Sequence, residues 1–226
     1  MTMKIPFLDL GRGYEALAEE HDASMLAVAR SGAYVLGKNV AALEEAAAAY
    51  LGVDHAVAVG SGTDALHLAL AALEIGPGDE VITTPFTFIS TVEVIELLGL
   101  KPVFVDVRPD TFNMDPELLE QAISERTRAI IPVHLFGQCA DMEAIMDFAR
   151  SHGLYVIEDN AQALGADFLP SNGPKQKAGT IGHLGTTSFF PTKNLGTFGD
   201  GGALFTNDDS FGKRAASLVN HGMQVR

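Results

Sequence analysis

Short apolar runs rich in small and β-branched residues alternate along this chain with longer stretches of helical spacing. That rhythm belongs to a helix-covered sheet whose strands run mostly in parallel. Residues 56–59 (AVAV) read as a buried strand, followed by an apolar helix over 63–73 that Gly76-Pro77-Gly78-Asp79 brings to a stop. Residues 81–84 resume as a strand ahead of a helix near 89–98, and 102–106 form the next strand. Asp115-Pro116-Glu117 opens a helix, with Asp capping free amides and Pro presetting the first helical φ. Leu118, Leu119, Ala122 and Ile123 then follow at helical spacing. Residues 129–133 predict a strand, and Asp141 caps a helix over Met142–His152 that Gly153 ends, because a left-handed residue costs least in glycine. A strand at 154–157 comes next. Beyond Asp167 the stretch FLPSNGPKQKAGTIGHLG has no period and reads as a loop. Short strands at 186–190 and 202–206 follow, then a helix over 208–219 begun by Asp208. The alanine-rich run 41–49 is an ordinary helix. The last residues, HGMQVR, show neither a stop signal nor a closing element.

Length and charge narrow the function. A chain of 226 residues holds one sizeable α/β unit, or one unit plus a fragment. Its 15 Lys and Arg against 29 Asp and Glu leave a formal charge of -14, which repels nucleic-acid phosphates and anionic membrane surfaces. The expected partner is a small molecule or another protein chain. Cys139 is the only cysteine, so no intrachain disulfide and no cysteine-built metal cluster can form, and a reducing compartment is the simplest setting. The opening MTMKIPFLDL lacks an extended apolar core, and no stretch approaches the roughly 18 apolar residues of a membrane span. The expectation is a soluble, cytoplasmic protein.

Three places carry residues suited to chemistry. Gly60-Ser61-Gly62-Thr63-Asp64 lies between a strand and a helix, where first-turn amides and the helix dipole favour an anion such as phosphate. A plain glycine turn for packing is the other reading. Gly60, Gly62 and Ala65 also satisfy the dinucleotide pattern G-x-G-x-x-A, which suggests a nicotinamide-dependent oxidoreductase. The acid that pattern needs should end the second strand, whereas Asp79 and Glu80 stand before the strand at 81–84. Asp159 follows a strand, with Gln162 on the next turn, on the side where open α/β sheets bind ligands. Lys193 sits in SFFPTKN, between a proline and the glycine-rich run 196–202. A phosphate cradle, a carboxylate and a lysine together suggest pyridoxal phosphate. The cradle anchors it, the Asp keeps its ring nitrogen protonated, and the Lys amine holds its aldehyde and moves protons. Phe88 in Thr84-Pro85-Phe86-Thr87-Phe88 is placed to stack on such a ring, with Phe86 the competing candidate and core packing the plain alternative for both.

From Ile5-Pro6-Phe7-Leu8-Asp9-Leu10 to Asn220-His221-Gly222 the sequence resembles the DegT/DnrJ/EryC1/StrS family of sugar aminotransferases. The ordered motifs are SGTDAL (61–66), GDEVITTPFTFIST (78–91), VHLFGQCADM (133–142), IEDNAQALGA (157–166) and SFFPTKNLGTFGDGGAL (188–204). The resemblance implies an α/β, aspartate aminotransferase-like (type I) large domain over 1–226, with an N-terminal helical segment and without the family's C-terminal small domain. It implies that Lys193 is catalytic and carries the cofactor. Asp159 is then the pyridinium partner, Gln162 a donor near the phenolic oxygen, Phe88 the stacking ring, and Gly62, Thr63 and Ser188 the phosphate binders. No metal is expected. The implied reaction moves an amino group from an amino acid, usually L-glutamate, to a nucleotide-linked keto-sugar. Family dehydratases carry a histidine in place of the lysine, so Lys193 points to transamination, and the run 191–202 resembles members that act at C3. A homodimer with its active site between subunits is implied. A non-catalytic regulatory protein that keeps the fold is a further reading. Cys139 stands where related sequences often have Pro, and His134, His183, Lys175 and Lys177 are candidates to approach a nucleotide-sugar, with surface or turn roles as the alternative.

Overall fold

A computed structural model describes residues 5–223, so the readings of residues 1–4 and of 224–226 in HGMQVR lie outside the described residues. Contacts divide the chain after Leu43 into two compact units. The first holds α1 (Leu10–Ala16), α2 (Ala18–Ser31) and the start of α3 (Lys38–Leu51). Asp9 caps α1 by accepting from the Arg12 N–H, and Gly32, at φ 69°, ends α2.

The second unit alternates as the sequence predicts. In chain order come β1 (His55–Val59), α4 (Gly62–Ala72), β2 (Glu80–Thr83), α5 (Ser90–Leu97), β3 (Lys101–Phe104), α6 (Leu119–Ala122) and β4 (Thr127–Ile130). They are followed by α7 (Met142–His152), β5 (Tyr155–Asp159), β6 (Asp167–Phe168), β7 (Gln176–Lys177), β8 (Leu184–Ser188), β9 (Gly202–Thr206) and α8 (Asp209–Val219). Several boundaries move. The helix expected after Asp115 is a 3-10 turn, Pro116–Leu118, that runs into the four-residue α6. The strand expected at 129–133 is β4, and Val133 instead forms an isolated bridge to Asp159. Asp159 is the last residue of β5 rather than a residue beyond it, because β5 continues alongside β8 as far as the pair Asp159–Thr186. The stretch taken as a loop folds a two-residue hairpin, β6 with β7, and contains the first residues of β8.

Seven strands form one sheet in the order β1-β9-β8-β5-β4-β2-β3. The pairs β8–β5, β5–β4, β4–β2 and β2–β3 are parallel, while β9 is antiparallel to both β1 and β8. Of these strands only β9 runs against the rest, which makes a mostly parallel mixed sheet. Helices cover it, so central strands are buried on both faces and read as continuous apolar runs. All four residues of β2 and all five of β9 are buried. Leu66, Leu70, Val81, Ile95, Ile131 and Ile157 pack in one apolar cluster, and Ile82, Ile130, Met142, Ile145 and Val156 in another. Each such side chain contributes about 1.5–3 kcal/mol on burial.

The parallel arrangement gathers the carboxyl ends of β1, β2, β5 and β8 along one edge, where open α/β sheets bind ligands. The reversed β9 brings its amino end there too, since Gly202 pairs with Val59 on one side and Ser188 on the other.

Candidate active site

A cavity of about 490 Å³ opens at that edge, within the size range of small-molecule sites. The seven residues expected to hold the cofactor all line it: Gly62, Thr63, Phe88, Asp159, Gln162, Ser188 and Lys193. They come from segments up to 131 positions apart, brought together by the order of the strands.

One end is built from the start of α4. Ser61 caps the helix, its hydroxyl accepting from the Asp64 N–H at 3.0 Å, and its carbonyl accepts from Ala65 at 3.0 Å. The amides of Gly62 and Thr63 precede the helix's own hydrogen-bond ladder and are available to an anion. Gly62 is required by approach, since a Cβ there would lie 2.7 Å from Ser188 Cβ. That closeness carries the Ser188 hydroxyl to the same end, where it accepts from the Phe190 N–H at 3.2 Å and keeps its own proton to donate. Gly202 serves the same crossing, since a methyl there would overlap the Ser61 carbonyl.

Asp159, only 4% exposed, forms the floor. The Thr91 hydroxyl donates to Oδ2 at 2.8 Å and the Ala161 N–H to Oδ1 at 3.2 Å. Thr91 in turn lies 3.0 Å from the Thr87 hydroxyl, which donates to it. Burial pushes the Asp159 carboxyl above its ordinary range, against the pull of Thr91, Ala161 and the Lys193 ammonium. A carboxylate so placed is incompletely compensated and suits a cationic N–H partner. Lys193 lies on the loop between β8 and β9. The loop is closed at its neck by the Phe189 N–H to Gly201 carbonyl bond at 2.7 Å, and within it by Thr197 N–H to Phe189 at 2.8 Å. Gln162 accepts the Phe136 N–H at its Oε1, 2.9 Å, which leaves its NH2 group as the free donor.

Phe88 is 66% exposed at the cavity, whereas the competing Phe86 pairs with Phe112 at a centroid distance of 5.7 Å. Of the four candidates for a nucleotide-sugar, none lines the cavity. Lys175 and Lys177 pair with Asp167, His183 accepts the Val156 N–H, and His134 is fully buried against Glu158. Thr91 and Asp200 belong to the site without having been singled out. Nothing in local spacing marks a threonine 68 positions from its carboxylate partner. Glu80 opens β2 at the far end of the strand, held by Ser124, Lys101 and Arg126, where it cannot meet a ribose beside Gly62. Among the described residues no group of three His, Cys, Asp or Glu side chains could hold a metal ion. No helix there is long and apolar enough to cross a membrane.

A mixed α/β sheet thus gathers a helix start with open amides, a buried carboxylate and a lysine around one cavity. The profile of the DegT/DnrJ/EryC1/StrS aminotransferase family matches residues 15–226, and the chain belongs to that family. It is 51% identical to a pleiotropic regulatory protein of Geobacillus stearothermophilus, over 99% of this chain and 59% of the relative. It is 45% identical to a UDP-2-acetamido-2-deoxy-3-oxo-D-glucuronate aminotransferase of Pseudomonas aeruginosa, over 98% of this chain and 60% of the relative. The structure of S. venezuelae DesV in complex with a ketimine intermediate superposes with a TM-score of 0.93 at 44% identity, covering 100% of this chain and 59% of that one. NtdA from Bacillus subtilis with bound cofactor PMP gives a TM-score of 0.90 at 33% identity, over 99% and 50%. The fold is therefore that of the family's aminotransferases. The chain spans about three fifths of the length of the curated relatives it matches.

Proposed function

We propose that this chain holds pyridoxal phosphate and transfers an amino group from an amino acid, L-glutamate by family resemblance, to a nucleotide-linked keto-sugar at C3. The observation that carries the reading is the placement of Lys193 and Asp159 on one cavity with the start of α4. The Pseudomonas relative's 3-oxo sugar supports the C3 preference.

The residues fit the cofactor group by group. Gly62 and Thr63 N–H and the Ser188 hydroxyl would hold the phosphate. Asp159, oriented by Thr91 and Ala161, accepts the ring N–H and gains the positive partner that its burial demands. The Gln162 NH2 would donate to the phenolic oxygen, and Phe88 would stack on the ring face. When bound, pyridoxal phosphate supplies an aldehyde that joins amines and a ring that takes up the electron pair left on carbon when a proton departs. Lys193 Nζ would hold the aldehyde until the donor's amine replaces it, and the freed Nζ would then carry the proton from the donor's α-carbon to the cofactor's C4' carbon. One water would then supply the carbonyl oxygen as the donor's carbon skeleton departs as a 2-oxo acid, its nitrogen left behind on the cofactor. In the second half Lys193 would move the proton in the reverse sense, so that the nitrogen ends on the sugar carbon and the ketone oxygen leaves as water.

A homodimer is part of the reading. Exposed Phe88 and Phe190 line the cavity, exposed Leu195 stands on the same β8–β9 loop as Lys193, and the three suit an apolar partner surface. A cytoplasmic setting is part of it too, because phosphorylated cofactors and nucleotide-linked sugars are charged and do not cross membranes unaided.

The test is titration of the chain with pyridoxal phosphate. The expected result is a long-wavelength absorption that L-glutamate bleaches, and that borohydride converts to added mass on the peptide holding Lys193. Lys193→Ala should abolish both. An unchanged absorption in that variant, or saturable NADPH binding in place of pyridoxal phosphate, overturns the reading.

A further inference from the structure

Behind the cavity, on the opposite face of β5 from Asp159, the neighbouring Glu158 is fully buried against His134. Its carboxylate accepts four donors: Gly179 N–H at 2.8 Å, Ile181 and Gly182 N–H at 2.6 Å each, and His134 Nε2 at 2.8 Å. The imidazole's tautomer follows from the backbone. The Ala140 N–H donates to His134 Nδ1 at 3.1 Å, so that nitrogen carries no proton, and the proton on Nε2 points at Glu158. The carboxylate satisfies three backbone donors of the 179–182 turn, and the imidazole joins that turn to a second segment.

What the pair does hold is the segment 134–140. His134 donates its own N–H to the Asp159 carbonyl at 3.0 Å, and its ring ties the segment's far end at Ala140. Between them Phe136 sits at φ 55°, a strained position for a non-glycine residue, and aims its N–H at Gln162 Oε1. We propose that Glu158 and His134 are positioning residues that lock this loop, and that through the Phe136 N–H they set which way the Gln162 amide faces. Resting on the functional reading above, this makes the donor orientation toward the cofactor's phenolic oxygen a property of a buried pair that never touches the cofactor.

Glu158→Gln keeps the shape but turns an NH2 group toward donors. His134→Asn keeps an acceptor for Ala140 and is too short to reach Glu158. Thr206→Val is the control, removing a buried hydrogen bond to the His183 carbonyl at the end of β9 far from the cavity. In the cofactor-free chain, amide hydrogen exchange at Phe136 and His134 should quicken about tenfold in both site variants and stay unchanged in the control. With pyridoxal phosphate, both should shift the pH midpoint of the long-wavelength absorption and lower kcat about a hundredfold, with the donor KM within a few-fold of wild type. Equal thermal destabilisation in all three variants, with exchange and absorption as in the control, overturns the proposal. Should Glu158→Gln not fold, His134→Asn carries the test. A wild-type chain that takes up no pyridoxal phosphate sinks the functional reading instead, and exchange in the cofactor-free protein still decides the positioning role.

Discussion

At the scale of single residues the site trades stability for chemistry. Burial pushes the Asp159 carboxyl above its ordinary range, and two hydrogen bonds offset part of that cost. A carboxyl whose folded pKa is raised destabilises the fold above that pKa and relaxes as the pH falls through it. Asp159→Asn should therefore leave the cofactor-free chain at least as heat-stable as wild type at neutral pH, while amino-group transfer falls by about 10²–10³-fold. Thermal melts paired with single-turnover bleaching by L-glutamate check both halves. Gly62 makes the converse point. Gly62→Ala places a methyl against Ser188 Cβ, so the turn has to open, at about 1–3 kcal/mol and with loss of phosphate affinity. Urea unfolding and a pyridoxal phosphate titration of the same variant measure the two effects.

Elements owe their ends to side chains that sequence displays directly. Asp141 accepts the Ala144 N–H at 3.1 Å to begin α7, and Gly153, at φ 65°, ends it. Asp208 begins α8 by accepting from Ser210 and Phe211 N–H at 2.7 and 3.1 Å, and those bonds with the Ser210 hydroxyl draw its carboxyl below the ordinary range. Asp208→Ala should cost about 1 kcal/mol of stability in urea and leave cofactor uptake unchanged, because α8 does not line the cavity. Where an end depends instead on a neighbouring strand, sequence misplaces it. β5 runs on to Asp159 because β8 pairs with it there, and the residues of β4 shift because β2 sets its register.

For the molecule as a whole, the amino ends of β2, β3 and β4 are tied by one carboxylate. The Ser124 hydroxyl, with Lys101 and Arg126, draws Glu80 down to about 2 even though burial works the other way. A depressed folded pKa supplies stability that is complete above the ordinary carboxylate range and disappears as the pH falls from about 4.5 toward about 2. Because Lys101 and Arg126 are themselves exposed, the contribution is roughly 2 kcal/mol. Glu80→Gln should lose about that much at pH 7 in urea unfolding, with the gap to wild type holding until the pH reaches about 4.5 and closing toward about 2. Sequence determined the alternation of strands and helices, the caps, and the separate chemical fitness of Gly62, Asp159 and Lys193, because turns, caps and apolar periods are local. Only the tertiary structure decided that those residues share a cavity, that Thr91 and Asp200 join them, and that Glu158 and His134 stand behind. Those relations depend on the lateral order of strands and on the reversed β9, which are set by packing between segments distant in the chain.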